Sequence, residues 1–507
     1  MIADKDLLSM QYARILAENA REAQKKLAAF PQEKLDEIVA HVAGEMEKHA
    51  QALAVMSFEE TDYGRWQDKL IKNRFVCRAV RHSLHGMRCV GPLREDAEGN
   101  VLEVGVPLGV IVALCPSTSP VSTTIYKALL AIKSGNAIIF SLHPRAVRCM
   151  SKALDLIIAA AQECGLPEGS ISYLATSTRS GTIELMRHPA TSLVLLTGVV
   201  GMLDAARASG KPLICGGTGN GPAFIERSAD VRQAVEDILL SKSFDCGIAP
   251  SAEQCVVVDS RIAEETRRAF QEQGAYFMRE QEVQALAGLF FHHDGRRRRD
   301  MIGLDAATLA RRAGFEVPAG TRALIAERKY VSDTDVYNRE LLAPVLPWYV
   351  EDDWMHACEK CIELLLFDRA GHTLVIHSRD AEVMRQFALK KPVARLLVNT
   401  PAALGGMGAT TDLFPAMTLG SGLAGQGITS DNVSPMNLVY IRRVGYGARS
   451  ADELVHMLDD HSLGHGGGPL PASGSDGRPQ NGHDINLDAL RQVLRETIRV
   501  ISAPERN

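Results

Sequence analysis

The sequence predicts an α/β protein with two parallel-sheet domains. Short β-branched runs alternate with helical patterns over residues 110–197, and the same rhythm returns over about residues 232–427. Strands separated by helices belong to βαβ units, in which the strands run parallel. The length of 507 residues is too great for one hydrophobic core, so two or three domains are expected.

The composition is that of an ordinary globular enzyme, with 46% hydrophobic and 23% charged residues. A net charge of -5 argues against a general nucleic-acid-binding role. No apolar run is long enough to span a bilayer, and no secretory signal opens the chain. The ten cysteines have no disulfide-like spacing, so a reducing, cytoplasmic setting is expected.

Two local patterns look like binding motifs but have simpler interpretations. Cys358 and Cys361 form a C-x-x-C pair in a helical pattern, and without a second pair they predict no metal site. The run from Arg296 to Arg299 follows two histidines. It is expected to be a solvated loop rather than a site for a phosphate backbone.

The first elements of the chain are predicted to be two amphipathic helices within residues 6–55, separated at Pro31. The apolar positions that follow the 3.6-residue period are Leu27, Phe30, Leu35, Ile38, Val39 and Val42. Residues 101–112 alternate in polarity around Pro107 and Gly109. That segment is predicted to be a hairpin arm that continues into a buried strand.

Polar turns follow the strands of the first α/β segment. Buried strands at residues 110–114, 137–140 and 193–196 lead into turns at 115–120, 141–145 and 197–198. Ligands of open parallel sheets bind at the carboxyl ends of the strands, and the helix N-termini there favour anions. The G-x-G-x-x-G dinucleotide fingerprint does not occur, so these turns predict a ligand site without identifying the ligand.

The second α/β segment contains a cysteine on a turn. Residues 243–254 predict a helix end and a turn with Cys246, Gly247 and Pro250, and a buried strand follows. Such a turn can present a thiolate beside backbone amides that stabilise an oxyanion, which is the arrangement of a cysteine nucleophile. The alternative is an ordinary buried cysteine that only packs.

The C-terminal part of the chain changes character after about residue 448. Before that point, residues 405–427 form a glycine-rich loop suited to wrap a ligand, and residues 436–443 return as a strand. Residues 449–484 predict a flexible linker. Residues 485–503 predict an amphipathic helix capped by Asn486, which docks on a partner or else folds back onto its own domain.

From about residue 20 to residue 447 the sequence resembles the CoA-acylating branch of the aldehyde dehydrogenase superfamily. The matching stretches are F-E-E-T-D-Y-G at 58–64, D-K-L-I-K-N at 68–73, S-G-N-A-I-I-F-S-L-H-P-R-A at 134–146, G-N-G-P at 219–222, S-F-D at 243–245 with E-Q at 253–254, and T-S-D-N-V-S-P-M-N-L at 429–438. The resemblance implies an aldehyde dehydrogenase-like fold. It implies a nucleotide-binding domain at 1–235, a catalytic domain at 236–430, and a β oligomerisation arm from strands at about 87–107 and 431–448.

The same resemblance implies the oxidation of a short-chain aldehyde to its acyl-CoA with NAD or NADP, through a cysteine thioester. Hydrolytic relatives activate water with a glutamate at the position of Gly216, so its replacement favours a thiol acceptor such as coenzyme A. The implied cofactor-binding residues are Pro116, Ser117, His143, Arg145, Gly198, Gly217 and Glu340, the last of which matches the glutamate that holds the nicotinamide ribose. NAD versus NADP stays open, because Ser141 and Pro144 near the adenosine ribose carry no charge.

The central motif departs from the family pattern F-D-N-G-x-I-C-A-S-E-Q. Aligned without gaps, the nucleophilic cysteine falls on Pro250, which has neither a thiol nor an N–H. In one interpretation Cys246 is a relocated nucleophile, with Thr118 and Ser119 beside the substrate. In a second, the protein is a catalytically impaired scaffold that binds nucleotide or CoA. In a third, a shift of one residue makes Ser251 important, although a serine needs a base to act.

The resemblance also suggests partners. A homodimer or homotetramer is expected through the arm, with a small aldehyde and coenzyme A as substrates. Cargo enzymes of bacterial microcompartments carry a short amphipathic helix on a flexible linker, and residues 485–503 resemble such an encapsulation peptide. A shell protein is therefore the expected partner of the C-terminal helix, in the lumen of a cytoplasmic microcompartment.

Overall fold

A computed structural model of the chain describes residues 4–96, 99–217, 219–367, 372–422, 425 and 427–453. Its strands are β1 (Gly91–Glu95), β2 (Val101–Pro107), β3 (Val110–Leu114), β4 (Ala137–Ser141), β5 (Ile171–Leu174), β6 (Thr191–Thr197), β7 (Leu213–Gly216), β8 (Pro222–Ile225), β9 (Cys255–Asp259), β10 (Ala275–Phe277), β11 (Ala323–Glu327), β12 (Val345–Glu351), β13 (Thr373–His377), β14 (Arg395–Val398) and β15 (Val439–Gly445). Its α-helices are α1 (Lys5–Leu27), α2 (Gln32–Lys48), α3 (Ala50–Thr61), α4 (Trp66–Phe75), α5 (Arg81–Leu84), α6 (Pro120–Lys133), α7 (Val147–Glu163), α8 (Arg179–Arg187), α9 (Leu203–Arg207), α10 (Val231–Ser243), α11 (Ala263–Glu272), α12 (Glu280–Phe290), α13 (Ala306–Arg312), α14 (Trp354–Phe367), α15 (Ala381–Lys390) and α16 (Ala402–Gly406).

The first parallel sheet has five strands in the order β5-β4-β3-β6-β7. Every residue of β3 and β4 is buried. Ile111 and Ala113 pack with α6 and α7 on one face of the sheet, and Val110 and Val112 pack with α1 and α8 on the other. Burial on both faces is the reason why these strands appear in the sequence as unbroken apolar runs.

The second parallel sheet has seven strands in the order β10-β11-β12-β9-β8-β13-β14. Its fully buried central strand β9 follows the cysteine turn and lies between β8 and β12. With this second sheet, the predicted α/β fold built on two parallel sheets is confirmed.

The chain passes from the first sheet to the second between Gly216 and Pro222. The domain boundary predicted at residue 235 is therefore too late. Ala223 of β8 and Val231 and Ala234 of α10 already belong to the core of the second sheet. The nucleotide-binding and catalytic roles of the two sheets stay predictions.

The predicted arm is a three-stranded antiparallel sheet with the order β1-β2-β15. β15 pairs with β2 along its whole length, from Val439 opposite Pro107 to Gly445 opposite Val101. The hairpin and the returning strand thus lie where the sequence predicted them. A role of this sheet in oligomerisation stays a prediction.

The N-terminal region contains three helices rather than the two predicted. α2 begins directly after Pro31, as expected, but it ends before His49, where α3 begins. His49 has φ -96° and ψ 0°, so the helix axis changes direction there. Leu35 and Val42 of α2 and Leu53 of α3 then reach the same core.

The chain divides into a unit of residues 1–446 and a second unit of residues 447–507. All the sheets described above belong to the first unit. The predicted linker at 449–484 beyond residue 453 and the predicted helix at 485–503 lie outside the described residues.

Candidate active site

A cavity of about 500 Å³ lies at the carboxyl ends of the strands of the first sheet. Polar residues from the turns after β3, β4, β5 and β6 line one side, namely Ser117, Thr118, Ser119, Ser141, His143, Arg145, Ser177, Thr178, Arg179 and Thr197. The other side comes from loops of the second α/β segment, namely Ile248, Pro250, Arg297, Arg299, Glu340, Leu342 and His372. The cavity is therefore bordered by the carboxyl edge of one sheet and by loops that lead into the other.

Every site residue predicted from the sequence lines this cavity, with the exception of Cys246. These residues are Pro116, Ser117, Thr118, Ser119, His143, Arg145, Gly198, Gly217 and Glu340. They meet because most of them follow successive strands of one parallel sheet, and such turns lie side by side at one edge. Their catalytic and cofactor-binding roles stay predictions.

Cys246 is the predicted site residue that the structure places elsewhere. Its side chain is 5% exposed and does not line the cavity. Burial, and after it the neighbouring Asp245 carboxylate, raises the pKa of the Cys246 thiol to about 12. A thiol in this state supplies almost no thiolate at neutral pH. This environment does not favour Cys246 as a relocated nucleophile, and its catalytic role stays a prediction.

Other candidates for a nucleophile in this region are no better placed. Pro250, at the position of the family cysteine, does line the cavity. Ser251 is buried and donates to the carbonyl oxygen of Ala403 at 3.3 Å, so no base activates it. Cys115 also lines the cavity, but burial raises the pKa of its thiol. Among the described residues, the cavity wall thus contains no activated thiol.

Asp245, next to Cys246, is the centre of a buried charge network. Its Oδ2 accepts hydrogen bonds from Lys72 Nζ at 2.6 Å and from Lys69 Nζ at 3.2 Å, and its Oδ1 accepts from the Arg65 N–H at 2.7 Å. Burial alone would raise the pKa of Asp245, but Lys72, Lys69 and the Arg65 N–H hold it below its usual value. This carboxylate is therefore ionised and compensated on both oxygens.

The two lysines connect this network to the cavity. Lys72 Nζ donates to Ser119 Oγ at 2.9 Å, and Lys69 Nζ donates to the Thr118 carbonyl oxygen at 3.0 Å. Both acceptors belong to the turn between β3 and α6, which lines the cavity. Asp245 thus positions the predicted substrate turn through two lysines of α4 and takes no part in the cavity wall itself.

Gly64 permits the close approach of α4 to the cysteine turn. It has φ of 69°, and a Cβ at this position would lie 1.8 Å from Asp245 Oδ1. Only a glycine therefore fits between the end of α3 and the Asp245 carboxylate. This contact explains the glycine that ends the F-E-E-T-D-Y-G stretch.

Glu340 lines the cavity with both oxygens engaged. Its Oε1 accepts from the Gly219 N–H at 2.9 Å, and its Oε2 accepts from both terminal nitrogens of Arg297 at 3.2 Å. The residue predicted to hold a ribose therefore forms an ion pair across the cavity wall. A ribose hydroxyl would have to replace or share the contact with Arg297.

Positively charged side chains lie around His143. Burial, followed by Arg299 and Arg145, lowers the pKa of His143 to about 4. Arg145 lies over the ring of Tyr63, with its guanidinium carbon 5.1 Å from the ring centroid. Arg297 and Arg299 line the same cavity, so the predicted solvated loop at residues 296–299 also borders the cavity, with Arg299 exposed and Arg297 partly buried.

His372 is a cavity residue that the sequence analysis missed. It is 1% exposed, its Nδ1 contacts Thr373 Oγ1 at 2.7 Å, and its buried Nε2 has no hydrogen-bond partner among the described residues. Burial, followed by Arg395, lowers the pKa of His372 to about 3. His372 precedes β13, so the rule that ligands bind at carboxyl ends of strands did not point to it. A histidine at the start of a buried strand was the one available signal.

Within the described ranges, no group of three or more His, Cys, Asp or Glu side chains could hold a metal ion. No helix in the part of the chain that the structure describes is long and apolar enough to cross a membrane.

Comparison with known proteins adds a second line of observation. The sequence model of the aldehyde dehydrogenase family matches residues 3–281. The chain is 35% identical over 448 residues to the bifunctional aldehyde-alcohol dehydrogenase of Escherichia coli (strain K12), which covers 87% of this chain and 50% of that protein. This chain therefore spans about half the length of that relative.

Two solved structures are similar over most of the chain. An acetylating aldehyde dehydrogenase from Geobacillus thermoglucosidasius has a TM-score of 0.85 and 38% identity, covering 89% of this chain and 99% of that one. A propionaldehyde dehydrogenase from the Clostridium phytofermentans fucose utilisation bacterial microcompartment has a TM-score of 0.75 and 26% identity, covering 86% and 97%.

Proposed function

This chain belongs to the aldehyde dehydrogenase family, and from that premise we propose that it oxidises a short-chain aldehyde to its acyl-CoA with NAD or NADP. One observation carries the proposal. The polar turns of the first sheet share one cavity of about 500 Å³ with Glu340 and His372 from loops of the second. This volume lies within the range of about 300–1,000 Å³ that is typical of small-molecule sites.

The cavity walls fit a nicotinamide dinucleotide, which accepts a hydride when bound. Gly198 has φ of 63°, and a Cβ there would lie 3.0 Å from the Cβ of Pro116. A side chain would fill that cradle, whereas the bare backbone leaves room for a ligand. Arg145 faces the cavity with a positive charge suited to phosphate oxygens, and Glu340 would accept from a ribose hydroxyl.

His372 is the residue proposed to position the incoming substrate by a hydrogen bond. With its pKa lowered to about 3, the imidazole is neutral at physiological pH and is only a weak base. Its Nδ1 lies 2.7 Å from Thr373 Oγ1 and 3.5 Å from the Arg395 guanidinium, whereas its buried Nε2 has no partner among the described residues. His372 would thus orient a thiol or hydroxyl that enters the cavity through Nε2.

Coenzyme A is the proposed acyl acceptor. A side chain at Gly216 would place its Cβ 3.1 Å from the Leu419 carbonyl oxygen, so a carboxylate that activates water does not fit there without movement. Since neither Cys246 nor Pro250 offers a reactive sulfur in the cavity, the thiol that coenzyme A carries is the sulfur nucleophile that remains. Turnover is therefore expected to be slow.

A second candidate function is binding without turnover, as a nucleotide- or CoA-binding scaffold. Pro250 favours it, because the cavity position of the family cysteine carries no thiol. The buried Cys246, with its pKa raised to about 12, does not compensate for this loss.

The two functions are separated by assays of acyl-CoA formation from short aldehydes, NAD or NADP, and CoA. We expect slow formation by the unmodified chain and a rate higher by about 100-fold or more for Pro250→Cys, the effect of one well-placed catalytic group. Mass spectrometry should detect an acyl thioester on the introduced thiol. Cys246→Ala and its matched control Cys255→Ala, a residue of the buried strand β9, should leave the rate unchanged.

Three outcomes would change this assignment. If the unmodified chain binds cofactor but forms no acyl-CoA with any short aldehyde, the scaffold function is correct. A loss of activity in Cys246→Ala alone would restore that cysteine as nucleophile. Calorimetry without binding of NAD, NADP or CoA at millimolar concentration would reject both functions.

We propose the arm sheet as the contact of a homodimer or homotetramer. β15 lies at the edge of that sheet, and its Tyr440 is 43% exposed. An edge strand with unpaired backbone groups can pair with a strand of another copy. Analytical ultracentrifugation should give a dimer or tetramer, and a monomer at micromolar concentration would remove the proposal.

We further propose that the C-terminal helix, residues 485–503, docks on a microcompartment shell protein and places the chain in the compartment lumen. Support comes from its amphipathic pattern and from the similar propionaldehyde dehydrogenase of a bacterial microcompartment. Deletion from Leu487 onward should abolish shell association and leave the melting temperature unchanged. A large drop in melting temperature would mean that the helix packs on its own domain.

A further inference from the structure

The arginine run at residues 296–299 divides its side chains between two environments. The backbone is extended as far as Arg298, since Arg297 forms a β-bridge with Phe291 and the Arg298 N–H donates to the Phe290 carbonyl oxygen at 2.7 Å, and Arg299 begins a short 3-10 helix, Arg299–Met301. Successive side chains in extended backbone point to opposite sides, which separates Arg297 from Arg296 and Arg298. Arg297 and Arg299 line the cavity, whereas Arg296 and Arg298 do not.

The arginines of this loop also differ in their partners. Arg296 pairs with Asp294 at 2.6 Å, Arg298 pairs with Asp300 at 2.9 Å, and Arg297 pairs with Glu340 at 3.2 Å. Arg299 has no carboxylate within ion-pair distance among the described residues, and the same holds for Arg145, which lines the same cavity. Two guanidinium groups thus face one cavity without a compensating charge.

Arg145 and Arg299 line the same cavity and act on the same two side chains. Both lower the pKa of the buried His143, after the larger effect of burial itself, and both act electrostatically on Tyr63, whose ring Arg145 covers. Two acidic residues, Asp300 and Asp62, also act on Tyr63, and Asp300 is already engaged by Arg298 and Arg312. Two guanidinium groups against the one remaining carboxylate leave the cluster with a net positive charge.

We propose that Arg145 and Arg299 form a subsite for a phosphomonoester carried on a ribose. Arg145 follows β4, the strand next to β3, at the sheet edge where a dinucleotide ribose lies and where an arginine accommodates an extra phosphate. Guanidinium groups bind phosphate with paired, charge-assisted hydrogen bonds. Two cofactors of the proposed function carry such a group, namely NADP at its 2′-hydroxyl and coenzyme A at its 3′-hydroxyl.

This inference rests on the proposed function and names a feature of its ligands. The Arg297–Glu340 pair is not part of the subsite, because its charge is already compensated. Ser141 and Pro144 carry no charge that could distinguish NADP from NAD. The subsite would supply such a charge. It assigns this role to Arg299, which lies far in sequence from the strand-end turn of Arg145.

Calorimetry with the full chain tests the subsite through two matched pairs of ligands, NADP with NAD and CoA with dephospho-CoA. In at least one pair the phosphorylated ligand should bind about 10- to 100-fold more tightly, the range for a hydrogen bond to a charged group. Arg299→Ala and Arg145→Ala should each remove most of that ratio. Arg298→Ala, a neighbouring arginine outside the cavity, should retain it.

The pair that shows the preference identifies the source of the phosphate. Preference within both pairs means that the two ligands use the subsite in turn. Equal affinity within both pairs overturns the subsite while the proposed function stands, because the ligands still bind. An equal loss in Arg298→Ala and Arg299→Ala also overturns it, since general charge then explains the effect. If none of the four ligands binds, the proposed function fails together with the subsite.

Discussion

Two charged regions lie beside the same cavity, one behind its wall and one in the wall itself, and they differ in how their charges are compensated. Around Asp245, a fully buried carboxylate receives hydrogen bonds from two lysines and a backbone N–H. Around His143, Arg145 and Arg299 face the cavity without a carboxylate partner among the described residues. The first region is complete in the folded chain, whereas the second lacks an anion.

The difference separates charges that hold the fold from charges that await a ligand. A buried charge without a partner is strongly destabilising, so Asp245 and its lysines can only exist as a paired group. Arg299 is exposed to solvent, and hydration stabilises its charge until a ligand arrives. The comparison predicts that substitutions in the first region change stability, whereas substitutions in the second change binding.

The largest expected effect is that of Asp245→Asn. This change leaves Lys69 and Lys72 buried without their counter-ion, and breaking such a group costs about 3–5 kcal/mol of unfolding free energy. Urea denaturation followed by circular dichroism measures it. Asp294→Asn, at an exposed ion pair with Arg296, is the matched control and should change the unfolding free energy by less than about 1 kcal/mol. Equal effects in the two variants would remove the structural role of Asp245.

An intermediate effect on the unfolding free energy is expected at Glu253, a buried carboxylate with only one of its two oxygens hydrogen-bonded. Its Oε1 accepts from the Ala402 N–H at 2.9 Å, while its Oε2 has no partner among the described residues. Burial raises the pKa of Glu253 from 4.5 to about 7 in the folded chain. The folded state therefore binds the Glu253 proton more tightly than the unfolded state does. The contribution of protonated Glu253 to the unfolding free energy is fully present below pH 4.5 and is lost as the pH rises through about 7.

Glu253→Gln removes this titration. Relative to the unmodified chain, the variant should gain about 2–3 kcal/mol of unfolding free energy between pH 4.5 and pH 8.5, from the size of the shift. Denaturation at a series of pH values measures the difference. Glu316→Gln, at an exposed position, serves as control and should give a constant difference. A constant difference for Glu253→Gln as well would show that this carboxylate is not held protonated.

The smallest expected effect on stability is that of Arg299→Ala. Because this arginine is exposed and has no ion-pair partner among the described residues, its removal should change the unfolding free energy by less than about 0.5 kcal/mol. Thermal denaturation without ligand tests this directly. A loss of several kcal/mol would place Arg299 with the structural charges of Asp245 and would end the contrast between the two regions.

The sequence by itself determined the two parallel sheets, the arm and most of the cavity lining. Apolar runs buried on both faces predict parallel strands, and the turns after successive strands meet at one sheet edge for topological reasons. The residues from Pro116 to Ser119, together with His143 and Arg145, were found in this way. The replacement of the family cysteine by Pro250 was also visible in the sequence, because it follows from alignment alone.

Only the tertiary structure decided which groups are chemically available. Cys246 lies on the predicted turn, yet burial against Asp245 keeps its thiol protonated and away from the cavity. The lysines that compensate Asp245 lie 173 and 176 residues away in the chain, and no local pattern connects them. His372 and Arg299 reach the cavity from loops of the second sheet. Local sequence determines secondary structure, but burial and charge compensation depend on segments that meet only after folding.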